Sequence, residues 1–263
     1  MNPQSSPQKA TWSTGDFSMV GVAQVIVSEM LCDSVPVYTG DVVLDVATAA
    51  GNAALAAARR GGRVTGIDFV EALLERGRER AAAERLRVDF RYGDASAIPF
   101  PDESFDIVLS TFGAMFAPDP MQCASELLRV CRKGGKIAMA NWQPTGFAGE
   151  MFHINAKFAP PPAGSVPPSQ WGVPDVVKQR FGNRISSLQL IERDALFRHD
   201  TPEHWVEFMK TYFGPMILAH RAAGDKAAEF TAALIDLAKR HHEPGARGWL
   251  ARSKYYEVIA TKT

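Results

Sequence analysis

The 263-residue chain has little cysteine, no excess of either charge and no long apolar run, and each shortage removes a class of function. Its three cysteines, Cys32, Cys123 and Cys131, are too few and too far apart for a disulfide framework. They read as small buried hydrophobes in a reducing, cytoplasmic setting. No group of His, Cys and Asp has the spacing of metal ligands, so no metal is expected. The 29 basic and 29 acidic residues cancel, which gives a phosphate backbone nothing to bind, and no nucleic-acid partner is expected. Even the stretch Arg76, Arg78, Arg80, Arg85 and Arg87 is interleaved with Glu75, Glu79 and Glu84, the pattern of a solvated helix face. No apolar run approaches the roughly 20 residues of a membrane span, and membrane insertion is not expected. The opening MNPQSSPQKA is polar rather than leader-like, and the first ten residues are expected to be unstructured. What the chain does have is 46% apolar residues, enough to fill one domain, or one domain and a cap.

The most informative stretch is VVLDVATAAGNAAL, residues 42–55. Val42 to Val46 reads as a buried strand, Ala47-Thr48-Ala49-Ala50-Gly51 as a small-residue turn, and Asn52 to Arg60 as a helix stopped by Gly61-Gly62. Small side chains at such a turn let a ligand approach backbone amides at the helix amino end. A second strand, Arg63 to Ile67, runs into Asp68, 23 residues after Asp45, where an acid can grip a ribose hydroxyl pair. The stretch resembles motif I of the class I S-adenosylmethionine-dependent methyltransferases, an acid followed after one residue by GxGxG. Asp45 matches the acid and Gly51 the last glycine, while Ala47 and Ala49 replace the first two. Nicotinamide-dependent oxidoreductases share this logic, but a pyrophosphate presses harder on the first two glycine positions, so the alanines weigh more against them.

The later motifs follow in order. A helix from Val70 to Ala83 leads to a strand from Arg87 to Tyr92, and YGDASAIPFPDESFDIVLSTFGAMF is similar to the family's third and fourth motifs. The helix Met121 to Cys131, the Arg132-Lys133-Gly134-Gly135 turn and the strand Lys136 to Ala140 match the fifth. The resemblance covers residues 10–142, and the subgroup it points to is the ubiquinone/menaquinone-biosynthesis-type enzymes acting on small molecules. It implies an α/β fold, a doubly wound seven-stranded Rossmann-like sheet with a helical cap, and S-adenosyl-L-methionine as cofactor. It places Asp45 on the methionine amino group, Asp68 on the ribose, Phe69 and Leu73 against the adenine, and Asp94 and Ala95 at the adenine edge. The turn residues Ala47, Thr48, Ala49 and Gly51 complete the cofactor set, with Ser110 and Thr111 beside the sulfonium methyl. The segment Trp12 to Phe17 resembles the family's cofactor-covering region, a simple aromatic tether being the alternative.

Residues 1–17 are therefore assigned to a tail and cofactor-covering segment, and 18–142 to the cofactor-binding core, starting with a helix from Ser18 to Cys32 that places Val22, Ile26 and Met30 on one face. Residues 143–186 form a cap insertion with a proline-rich spacer. Residues 187–263 carry two last strands, near 187–197 and 255–261, with lid helices between them; Thr201-Pro202-Glu203 is a helix start and Gly214-Pro215 a stop. Met115, Phe116, Trp142, Phe147, Met151, Trp205, Met209 and Tyr212 are the candidate acceptor-pocket residues, a packed core being the alternative for the aromatic helix stripe. Methyl transfer needs in-line positioning more than acid–base machinery, and of the six histidines only His153 is a candidate base. The Asn/Asp-Pro-Pro-aromatic signature of base-amino methylation is absent, since STFGAM stands there. The expected activity is methyl transfer to oxygen or carbon of a small, largely apolar, aromatic or quinone-like acceptor. A non-catalytic S-adenosylmethionine- or S-adenosylhomocysteine-binding protein is the alternative, and the oligomeric state is left open.

Overall fold

Strand β1 (Val42–Val46) has no polar face because both of its sides are covered, and its central residues Val43, Leu44 and Val46 are fully buried. The computed structural model, which describes residues 7–263, builds a seven-stranded sheet around it. The amino-terminal side contributes α1 (Pro7–Trp12), α2 (Phe17–Gly21) and α3 (Val25–Ser34). After β1 come α4 (Asn52–Arg59), β2 (Arg63–Asp68), α5 (Glu71–Ala83), β3 (Val88–Tyr92), β4 (Phe105–Thr111), α6 (Pro120–Val130) and β5 (Cys131–Trp142). The rest of the chain adds α7 (Phe147–Phe158), α8 (Pro174–Phe181), β6 (Ile185–His199), α9 (Pro202–Tyr212), α10 (Gly214–Ala222), α11 (Ala227–Arg240) and β7 (Trp249–Lys262). The spatial order is β3-β2-β1-β4-β5-β7-β6, parallel except for β7, which runs antiparallel to both β5 and β6.

Alternate residues of the central strands feed two cores, as a sheet with helices on both faces requires. Leu44, Val46, Val108, Ile137 and Met139 face α6 and the cap; Val43, Ile107, Leu109 and Ala138 face α3 and α4. The order of strands reverses between β1 and β4, and the open crevice at their carboxyl ends is where such sheets bind ligands.

Several local expectations change. Residues 7–12 form α1 rather than an unstructured tail, while residues 1–6 lie outside the described residues. The expected helix over 18–32 is broken by a 3-10 turn at Val22–Gln24, and its buried face is Val20, Val27, Leu31 and Cys32. Val22 and Ile26, expected on the packed face, are 68% and 60% exposed. Phe17–Ser34, with mean hydropathy 1.3 over 18 residues, is long and apolar enough for a span by composition, contrary to the sequence expectation. In the fold its inner face packs on the sheet and the interposed turn breaks its helical continuity. Cys131 opens β5 instead of ending a helix, and β7 starts at Trp249, six residues earlier than Tyr255. α9 stops at Tyr212, ahead of Gly214-Pro215 as expected, but these two residues also start α10, with proline in the first turn, where its missing N–H costs nothing.

The cap is held by an aromatic cluster. Phe147 lies 4.8 Å from Trp205 and 5.4 Å from Trp249, ring centroid to ring centroid, and Trp249 donates to the Ala238 carbonyl at 2.8 Å. The amino-terminal segment is tied to this cap, because the Asp16 amide donates to the Tyr212 carbonyl at 3.0 Å and Gly15 bridges Phe213.

Candidate active site

The turn after β1 folds back on itself. Ala47, Ala49 and Gly51 all adopt left-handed backbone, with φ of 55°, 48° and 84°. At Ala47 and Ala49 this costs about 1–2 kcal/mol each, the penalty a Cβ incurs in that region. The loop holds because its amides are consumed internally. Thr48 donates to the Ile67 carbonyl, Ala49 to the Asp68 carboxylate and Gly51 to the Thr48 carbonyl, at 2.8–2.9 Å.

Two acids organise the crevice. Asp45 is 1% exposed and accepts from the Thr48 hydroxyl at 2.5 Å and from the Ala54 amide in the first turns of α4 at 2.9 Å. Burial pushes its carboxyl up to about 7, more than these two hydrogen bonds pull it down. Asp68 ends β2 and accepts from the Ala49 and Val70 amides, both at 2.9 Å, and burial lifts it to about 6. Each acid is thus held in place yet short of a cation, the condition in which a positively charged or hydroxyl-rich ligand gains most.

These residues border an open cleft at the carboxyl ends of the strands. Asp45, Ala47, Thr48, Ala49, Asp68, Phe69, Leu73, Asp94, Ala95 and Thr111 all line it, as expected from sequence. Asp94 also accepts from the Ser96 amide at 2.8 Å, so the turn bond and the cleft position coexist. Two expected members lie behind the wall. Gly51 faces Phe90, whose ring lies 2.7 Å from where a Cβ would stand, and Ser110 staples β4 to β1 by donating to the Val46 carbonyl at 2.8 Å. Sequence reasoning passed over Gln8, Gln24 and Asn52, which also line the cleft. Polar residues on short helices look like surface until the helices are placed.

No lysine or arginine lines the cleft among the described residues, and three acids do. Together with the spent turn amides, this suits a cationic sulfonium and ammonium ligand and opposes a pyrophosphate. S-adenosylmethionine fits: Asp45 would face its amino group, Asp68 its ribose, Leu73, Asp94 and Ala95 its adenine.

A second, smaller cavity adjoins the first, and Trp12, Phe17, Gln24, Phe112 and Phe116 border both. Phe116, Trp142, Met151 and Met209 line it as expected, with Phe152, Phe197 and Phe213. The other four expected pocket residues do not. Met115, Phe147 and Trp205 are buried in the core, and Tyr212 packs beside Phe208 with its carbonyl holding Asp16. His153 lines neither cavity. It is exposed on α7, its Nδ1 3.0 Å from the Gly149 carbonyl one turn earlier, so a general-base role has no geometric support. Phe112, at φ 55°, is turned so that its ring stacks on Trp142 at 3.8 Å with 2° between planes.

Comparison with known proteins agrees with this geometry. Residues 44–139 match the model of the methyltransferase domain family. The chain is 35% identical over 245 residues to an uncharacterized protein of Mycobacterium tuberculosis, Rv1403c, covering 90% of this chain and 89% of that one. It is 40% identical over 103 residues to a demethylmenaquinone methyltransferase of Clavibacter sepedonicus, covering 39% of this chain and 42% of the relative. The crystal structure of the YcgJ protein from Bacillus subtilis shares the fold, with a TM-score of 0.62 at 19% identity over 90% of this chain and 99% of that chain. With the ordered motifs, the acid-lined cleft and the sheet order in agreement, the chain belongs to the class I S-adenosylmethionine-dependent methyltransferases.

Proposed function

We infer that this enzyme works in the cytoplasm and passes the methyl group to an oxygen or carbon of a small, largely apolar acceptor, aromatic or quinone-like. The observation that carries this reading is the lining of the second cavity, which among the described residues contains aromatic, methionine and aliphatic side chains, one glutamine and no charged group. Such walls recognise a flat apolar body and reject ions. The partial similarity to demethylmenaquinone methyltransferases points the same way, and the zero net charge gives a nucleic-acid substrate no support.

Bound S-adenosylmethionine supplies an electrophilic methyl on a sulfonium. The protein's part is placement and exclusion of water. The aromatic rings of Trp12, Phe17, Phe112 and Phe116 form a collar between the two cavities, where ring faces favour a cation and keep solvent out. Positioning of this kind carries most of the rate for a displacement that needs no protein base.

A second reading, a binding protein that has lost turnover, draws on Ala49, whose methyl projects from a turn where the family carries glycine. One experiment separates the two. The protein is titrated with S-adenosylhomocysteine and with NAD by calorimetry, and phenols, quinols and hydrophobic carboxylic acids are then screened with S-adenosylmethionine for cofactor-product release. Release with phenols or quinols supports the acceptor reading. Tight S-adenosylhomocysteine binding with no release across the panel favours the binding protein, and binding of NAD alone would remove both.

A further inference from the structure

We propose that Gln24 orients the acceptor, its carboxamide gripping a neutral hydrogen-bonding oxygen, a carbonyl or hydroxyl, beside the atom that receives the methyl. The inference rests on the acceptor reading above and narrows it, from an aromatic or quinone-like molecule to one with a neutral oxygen at the end facing the cofactor.

Gln24 closes the 3-10 turn between α2 and α3 and is 8% exposed. It borders both cavities, and the four other residues that do so, Trp12, Phe17, Phe112 and Phe116, are aromatic. Its side chain has no hydrogen-bond partner among the described residues, although the neighbouring polar groups are paired. Asn52 Nδ2 donates to the Gly21 carbonyl, and the Ser28 and Thr111 hydroxyls bond each other at 3.2 Å. Its amide atoms are not among the sealed, unpartnered polar atoms of the core, so they stay open to the cavities, where a polar ligand group can take the place of water.

Its position gives that group an address. Among the described residues Gln24 is the one side chain of the second cavity that offers a strong hydrogen-bond acceptor, the indoles of Trp12 and Trp142 being donors only, and it also borders the cleft. An acceptor oxygen held there points its reacting end at the collar and its apolar body at Trp142, Met151 and Met209. A carboxamide both donates and accepts, so it serves a keto group and a hydroxyl alike. A carboxylate or ammonium would be stripped of water with no opposite charge to meet it.

The test uses the full chain saturated with S-adenosylhomocysteine and two probes of matched shape, 1-naphthol and 1-methylnaphthalene, titrated by calorimetry. Wild type should prefer the naphthol by about tenfold or more, as sites built to bond an oxygen do. Gln24→Leu should bind both probes within about threefold, while S-adenosylhomocysteine affinity stays within about twofold. Gln24→Asn, which keeps the amide one carbon shorter, should retain part of the preference. Equal affinities in wild type, or an undiminished preference in Gln24→Leu, would overturn the role. A matching loss of S-adenosylhomocysteine affinity would overturn it too, by assigning the amide to the cofactor. Should Gln24→Leu not fold, the wild-type preference and its size in Gln24→Asn decide. If neither probe binds wild type, the apolar-acceptor reading fails; if both bind without preference, that reading stands and only Gln24 is released.

Discussion

The two cavities share five bordering side chains and little else. The cofactor cleft is built from strand ends and their turns, within residues 45–117 apart from its amino-terminal cover, and three acids line it. The second cavity draws on α1, α2, β5, α7, β6 and α9, gathered from residue 12 to residue 213, and among the described residues no acid lines it. One is specified by backbone geometry close along the chain, the other by distant side chains that meet only after folding. If the second cavity receives the acceptor as proposed, the contrast makes the two recognitions separable everywhere but at these five shared residues, and substitutions outside them should fall on one side or the other.

The largest expected effect tests whether the cap aromatics are core or pocket. Trp205→Ala should cost about 3–5 kcal/mol of stability, as truncation of a fully buried aromatic does. Met151→Ala, on the cavity wall, should instead raise the acceptor KM severalfold while the melting temperature changes less and cofactor affinity is unchanged. Denaturant unfolding and steady-state kinetics on both variants decide, and a reversed pattern would erase the distinction drawn here.

Next is Asp68→Ala, which leaves the Ala49 and Val70 amides without their acceptor. Cofactor affinity should fall by about 2–3 kcal/mol, the scale for losing a charged hydrogen-bond partner. Calorimetry with S-adenosylhomocysteine measures it; an unchanged constant would place the ribose elsewhere.

The pH dependence of the ligand-free protein is smaller. Asp45 and Asp68 titrate near 7 and 6 in the folded chain, well above ordinary aspartate, so the native state holds more protons than the unfolded one. Their contribution to stability is complete below the ordinary carboxylate range and is lost as pH rises through about 6 and then 7. Each group costs at most about 1.4 kcal/mol per pH unit in that window. Scanning calorimetry from pH 5 to pH 8 should show a falling melting temperature and a growing stabilisation by S-adenosylhomocysteine. An equally steep fall in Asp45→Asn would remove this explanation.

The smallest effect concerns the turn. Ala49→Gly relieves a left-handed alanine but loosens the unfolded chain, for a net gain of about 0.5–1 kcal/mol. Cofactor affinity should hold or improve, and a clear loss of stability would show that the alanine methyl is packed rather than strained.

Most of the sheet was legible before folding was considered, because β1, β2, β4 and β5 are buried on both faces and read as apolar runs between turn residues. Asp45, Asp68 and Asp94 were legible for a related reason, since each ends a strand or opens a turn at a position the fold itself defines. Trp205 and Met209 show where this stops. They lie four residues apart on α9 with the same apolar character, yet one enters the core and the other the cavity. Helical periodicity identifies the buried stripe and is silent on what it meets. Gln24 was illegible for the opposite reason: nothing local distinguishes a glutamine facing a cavity from one facing water. The packed and exposed faces of the segment expected as one helix over 18–32 were exchanged because Val22 and Ile26 are as apolar as Val27 and Leu31.

The stacking of Trp142 on Phe112 has an optical consequence. Of the five tryptophans, Trp171, Trp205 and Trp249 are sealed in the core, Trp12 borders both cavities, and Trp142 borders the acceptor cavity alone. Light absorbed by the indoles therefore returns three signals from fixed surroundings and two from walls that a ligand touches. With Trp12 replaced by phenylalanine, the change in emission on adding a ligand belongs to Trp142. An aromatic ligand in the second cavity should then dim that emission directly, while a cofactor in the cleft should reach it only through Phe112, the ring on which Trp142 stacks.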